Sequence, residues 1–230
     1  MRNLINLFED DNEIKEICKK YKLDFNKVTQ NSDGTIDYDG HVYLRDMGLT
    51  KIPLQFNHVT DYFSCSNNPA LKSLIDSPKI VNGYFNCSNN PGLESLVGGP
   101  TIVDGDFNCS NNSDLESLIG GPKIVGGDFD CYSNPGLESL VGGPKKVSRD
   151  YLCSRCKNLK SLKGVAKFIS GDFYCTYTPN LSPREMSWLL FSEIHKKIKT
   201  GNDATDAIFA KYHGKKEMIG QAVKELREIS

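Results

Sequence analysis

The chain has 230 residues, 38% hydrophobic and 25% charged, with a formal net charge of −1. Basic and acidic residues are mixed along it, which argues against nucleic acid or an anionic membrane as an electrostatic partner. No run approaches the roughly 18 apolar residues of a membrane span, and the opening MRNLINLFEDDNEIKE turns acidic before a signal-peptide core can form.

A cytoplasmic protein is therefore expected, with its eight cysteines as reduced thiols. In chain order, the first element is an amphipathic helix of about three turns. Asp10 and Glu13 have capping-box-like spacing, and Ile14, Ile17, Cys18 and Tyr21 follow at i, i+3, i+4, i+7. GTIDYDGHVYL then reads as a hairpin through Asp39-Gly40. Residues 1–39 form an N-terminal cap on this reading.

Residues 40–181 repeat. Cys65, Cys87, Cys109, Cys131, Cys153 and Cys175 are spaced by 22 residues without insertion or deletion. Two residues before each stand Phe63, Phe85, Phe107, Phe129, Tyr151 and Phe173; three after stand Asn68, Asn90, Asn112, Asn134, Cys156 and Thr178. Leu71 to Leu181 and Leu74 to Leu162 make two further columns at the same step, and Gly-Gly-Pro closes the typical unit. A degenerate 21-residue unit with Val42 and Leu44 precedes them, making about seven units.

A unit this short cannot close a core alone, so the units must stack into a solenoid with one continuous apolar interior. Apolar residues at −2 and 0 relative to each cysteine alternate with polar ones at −3, −1 and +1, which predicts a strand with one buried face and a parallel sheet along one side. The expected class is an α+β solenoid.

Residues 182–230 differ. Ser182-Pro183-Arg184-Glu185 predicts a capped helix through Trp188, Leu189, Ile194 and Ile198 to Gly201. A second helix starts at Asp203 and a third carries Met218, Ile219, Val223, Leu226 and Ile229. This three-helix segment is expected to cap the stack, or to serve as a small partner-binding or oligomerising module.

The unit resembles the leucine-rich-repeat pattern L-x-x-L-x-L-x-x-N-x-L over roughly residues 40–181, with F-x-C-x-x-N in place of L-x-L-x-x-N. It departs by one inserted residue after the asparagine and by Gly-Gly-Pro in the return loop. Its wording, GDFxCSNN…LxSLxGxPKxV, is similar to that of short repeat proteins of tailed bacteriophages and some bacteria. The resemblance implies a fold and a phage source, with the host cytoplasm as location. It implies no reaction.

The chemistry-bearing columns have structural readings. A free cysteine in the core position acts as a small apolar residue, and parallel neighbours about 4.8 Å apart do not converge as a disulfide requires. C-x-x-C occurs at Cys153 and Cys156, but Cys156 falls in the asparagine column and no second pair or nearby histidine completes a zinc site. His41, His58, His195 and His213 are scattered, with no nucleophile motif beside them. No catalytic residue, metal or cofactor is expected.

Function is therefore expected on the polar face of the strands, the concave one in such solenoids. The early units repeat Ser and Asn; the later ones carry Asp130, Tyr132, Leu152, Arg155, Tyr174 and Tyr177. Asp106, Asp128, Asp150 and Asp172 add an acidic column at −3. Tyrosine and arginine dominate binding hot spots, so these ten residues are the expected interaction patch. A basic protein fits the acidic column, and the resemblance implies that it is host-derived. The alternative is a virion or assembly scaffold that oligomerises through residues 182–230.

Overall fold

The computed structural model describes residues 4–229, with side chains from Asp11 onward. Among the described residues, successive turns of the chain stack into a β-solenoid whose walls are two sheets. One wall, the Phe sheet, has eight parallel strands: Val42–Tyr43, Phe63–Ser64, Phe85–Asn86, Phe107–Asn108, Phe129–Asp130, Tyr151–Leu152, Phe173–Tyr174 and Ile198–Lys199. The other, the Val sheet, has nine strands and includes Ile80–Val81, Ile102–Val103, Ile124–Val125, Lys146–Val147 and Phe168–Ile169.

The second sheet is a correction. The x-x-V residues after Gly-Gly-Pro read as part of a return loop, yet they pair in register with their counterparts, Ile102 with Ile124 and Val103 with Val125. Two β-branched residues fit a pleated ladder, and a strand of two residues is too short to show a period.

Inside, the columns stack as identical rungs. Phe63, Phe85, Phe107 and Phe129 lie parallel with ring centroids 5.2, 5.3 and 5.5 Å apart. Each is fully buried, as are Cys65, Cys87, Cys109, Cys131, Cys153 and Cys175. A buried phenylalanine contributes roughly 2–3 kcal/mol by area, so the stack supplies the continuous core that no single turn could close. Tyr151 in the same column is tilted by 49° from Phe129, and its buried hydroxyl has no hydrogen-bond partner.

Gly-Gly-Pro lets the turns approach. Gly120 has φ +87, and a Cβ there would lie 2.4 Å from Val97 Cα of the preceding turn. Asparagine fills the opposite bend. Asn112 donates to the carbonyls of Cys87 and Cys109 at 3.2 and 2.8 Å and accepts the Asn90 N–H at 2.7 Å.

Both ends differ in detail from the sequence reading. The N-terminal helix, α1 (Leu4–Lys20), begins before Asp10, which is therefore not its cap. The hairpin joins Val28–Gln30 to Ile36–Tyr38 and turns at Asn31–Gly34, not at Asp39-Gly40. Asp39-Gly40 instead forms the corner where the chain passes from the Val sheet to the Phe sheet. No described helix is long and apolar enough to cross a membrane.

At the other end, the helix expected through Ile198 stops early. Glu185–Phe191 is a 3-10 helix, after which Glu193–Ile194 and Ile198–Lys199 extend the two sheets by one more turn. Helical spacing of apolar residues loses here to the exposed ladder edge: Glu193 N–H reaches Lys167 O at 2.7 Å and Phe173 N–H reaches Lys197 O at 2.8 Å. Two α-helices complete the segment, α2 (Asp203–Tyr212), capped by Asn202, and α3 (Ile219–Glu228).

Candidate interaction surface

The acidic column is built into the corner between the sheets. Asp106 Oδ1 accepts the N–H of Asp128 at 2.8 Å, Asp128 that of Asp150 at 2.9 Å, and Asp150 that of Asp172 at 2.8 Å. The last rung, Asp172, takes Lys197 N–H at 2.8 Å. A Cβ on Gly127 or Gly171 would lie 2.0 Å from the carboxylate oxygen of the turn before, yet the Asp128–Asp150 rung forms at 2.9 Å with Arg149 at the equivalent position, so the ladder does not by itself require glycine there.

In one late turn Arg149 stands where Gly83, Gly105, Gly127 and Gly171 stand in others. Its guanidinium folds back to Asp128 at 3.4 Å and Asp106 at 3.6 Å. The same criterion that picks out Tyr132 and Arg155, a departure from the residue that recurs in a column, picks out Arg149 too, against those glycines.

On the outer face of the Phe sheet, Asp130, Leu152, Tyr174 and Lys199 are register partners on successive strands. Asp130 Oδ1 accepts the Tyr132 N–H at 2.8 Å, as Asn86 and Asn108 accept those of Ser88 and Ser110. Burial pushes the Asp130 carboxyl above the usual carboxylate range and the charge of Asp128 adds to the rise, against the Tyr132 N–H bond. Tyr174 donates to Asp172 Oδ2 at 2.9 Å, and Lys199 Nζ lies 5.5 Å from the Tyr174 ring.

The column one residue after the cysteine is not the exposed row expected from its serines. Ser66, Ser88, Ser110 and Ser154 are buried, and Tyr132 replaces serine there with a half-buried ring. The next column is a ridge in the left-handed backbone region: Asn67, Asn89, Asn111, Ser133, Arg155 and Tyr177 have φ between 56 and 60°. Asparagine enters this region more easily than arginine or tyrosine, whose longer side chains gain no local hydrogen bond there.

The structure brings three of the expected residues into one cluster. The Arg155 guanidinium lies 5.6 Å from the ring of Tyr132 and 5.6 Å from that of Tyr177. Tyr177 is 74% exposed. At the other end of the stack His41, Tyr43, Tyr62 and Tyr84 form a row with ring centroids 5.1–5.6 Å apart. Tyr62 and Tyr84 occupy the column that later holds the aspartates, and their stacking was not legible from that substitution alone.

The thiols are placed as packing groups. Burial pushes Cys65 up to about 12 and Cys87 and Cys109 well above the ordinary thiol range. Cys156 takes the asparagine's role, its thiol 3.3 Å from the Cys131 carbonyl. Among the described residues no group of three or more His, Cys, Asp or Glu is placed to hold a metal ion.

A cavity of about 790 Å³ lies between the terminal turn and the helices, lined by Leu190, Ile198, Phe209, Ile219, His213 and Lys215 among others. Within its wall, His213 Nε2 meets the carbonyl of Ile194, the strand residue at the end of the Val sheet. The contact caps an edge that would otherwise be open to a further strand. Comparisons with family models, curated proteins and solved structures found no match to this chain.

Proposed function

We propose that the chain is a non-enzymatic protein-binding module whose contact centre is the Tyr132–Arg155–Tyr177 cluster, flanked by Leu152 and Tyr174. The carrying observation is that Arg155 and Tyr177 hold left-handed backbone at positions where earlier turns use asparagine. Such a conformation costs about 1 kcal/mol or more per residue. Strain kept in exposed side chains points to a use outside the fold.

The acidic column extends the patch. The ladder bonds of Asp106, Asp128 and Asp150 engage Oδ1, leaving Oδ2 as the oxygen that meets basic groups of a partner. The proposed partner is thus a protein with basic residues flanking an apolar or planar contact. That the partner belongs to a phage host and that the repeat is of the leucine-rich type rest on the resemblance of the unit alone, and a cytoplasmic setting rests on the composition of the sequence.

The test is capture of a partner by the wild type and by a variant restored to the early turns, Tyr132→Ser, Arg155→Asn and Tyr177→Asn. The module reading expects one specific protein, retained by the wild type and lost by the variant. Equal retention would overturn the assigned patch. A lone homo-oligomer that dissociates on deletion of residues 203–230 would favour the scaffold reading instead.

A further inference from the structure

Charge that is mixed along the chain is sorted by folding. In the windows 119–126, 141–148 and 163–170 there are five lysines, Lys123, Lys145, Lys146, Lys163 and Lys167, and no Asp or Glu. Lys145 N–H bonds to Lys123 O at 2.9 Å and Lys167 N–H to Lys145 O at 3.0 Å, so these three occupy adjacent rungs, about 4.8 Å apart. All five lysines are exposed, and among the described residues none is in an ion pair. Asp106, Asp128, Asp150 and Asp172 collect beyond the other end of the Val-sheet strands, at the corner toward the Phe sheet.

Beside the lysine column runs an apolar one. Ile80, Ile102, Ile124, Lys146 and Phe168 are register partners on the outer face of the Val sheet, and the row ends on Glu193, whose carboxylate is paired with Lys216 at 2.7 Å. Ile80 is 37% exposed, Ile124 45% and Phe168 46%. Five rungs span about 19 Å. None of these side chains lines the cavity at the end of the stack.

We propose that this face of the Val sheet docks on an anionic lipid surface, with the lysines at the phosphates and Ile124 and Phe168 at the boundary between headgroups and acyl chains. Lysine clusters draw such surfaces, and apolar side chains between them add the affinity that pure charge lacks. A polyphosphate chain in water would leave the isoleucines uncovered, and one exposed aromatic ring is no stacking platform for bases. The ladder pairs the interior strands on both sides, leaving no edge for an acidic peptide to join. The face is distinct from the Tyr132–Arg155–Tyr177 patch and stands or falls without it.

Sedimentation of the full chain with phosphatidylcholine vesicles, with and without one-third phosphatidylserine, tests the proposal. Partitioning is expected only with phosphatidylserine and is expected to fall about 100-fold in Lys123→Gln/Lys145→Gln/Lys167→Gln, at about a fivefold loss per lysine. Lys19→Gln/Lys51→Gln/Lys224→Gln, which removes the same charge elsewhere, is expected to bind as wild type. Phe168→Ser is expected to weaken binding without changing its salt dependence. Equal binding to both vesicle types, an equal loss in both triple variants, or retention of polyuridylate or polyglutamate without vesicle binding would overturn it.

Discussion

Asn112 Oδ1 accepts the backbone N–H of Asn90 one turn earlier, while its amide donates to two carbonyls of the cysteine column. The two carbonyls are shared with the amides of Asn90 and Asn134, at 2.9 and 3.0 Å, so only the Asn90 N–H depends on Asn112 alone. A buried N–H left unsatisfied costs about 1–3 kcal/mol. Asn112→Ala is expected to lower stability by about 1–3 kcal/mol in urea denaturation. A loss under about 1 kcal/mol would mean that water can take the amide's place.

Tyr151 is the converse case. Its hydroxyl is buried without a partner in a column that otherwise uses phenylalanine. Tyr151→Phe removes only that hydroxyl and is expected to stabilise the fold by about 1 kcal/mol. A destabilised variant would show that the hydroxyl has a bond that matters.

Asp130 provides a pH signature. Because burial raises its carboxyl in the folded state, the folded chain binds more protons there than the unfolded chain, and this group's contribution falls as pH rises from about 4. Asp130→Asn keeps the acceptor for the Tyr132 N–H, as at Asn86 and Asn108. The variant is expected to be more stable than wild type at pH 7, with the difference shrinking toward pH 3. A difference that grows on acidification would contradict the assignment.

The thiols give a simple readout. All eight are free and buried, and burial holds Cys65, Cys87 and Cys109 protonated at neutral pH. Alkylation at pH 8 is expected to modify none of the six repeat cysteines within an hour in the native protein and all eight in denaturant. Rapid native labelling of any repeat cysteine would show an opening of that turn.

The core was legible in the sequence because identical side chains recur at one step: a phenylalanine, a cysteine and two leucines every 22 residues leave only an in-register stack. What escaped was set by pairing, not period. Ile124-Val125 is too short to show alternation, and Ile194 and Ile198 satisfy a helical spacing as well as they satisfy two strands. Asp33-Gly34 and Asp39-Gly40 both look like turns; only the antiparallel pairing of Val28–Gln30 with Ile36–Tyr38 separates them.

The patch was legible in part for the same reason. Departures from the Ser/Asn rhythm mark Tyr132, Arg155 and Tyr177, and those three meet. The sequence does not tell a carboxylate facing solvent from one holding the next turn's N–H. The ladder through Asp106, Asp128, Asp150 and Asp172 therefore looked like a binding edge alone.

The central claim is that Tyr177 and its neighbours touch a partner while the early turns do not. With the repeat thiols buried, Ser133→Cys, which keeps Tyr132, Arg155 and Tyr177, and Asn89→Cys each place one thiol on the same ridge for a photo-crosslinker. The account predicts an adduct with one partner protein from position 133 and none from position 89. Equal adducts from both positions, or none from 133, would contradict it.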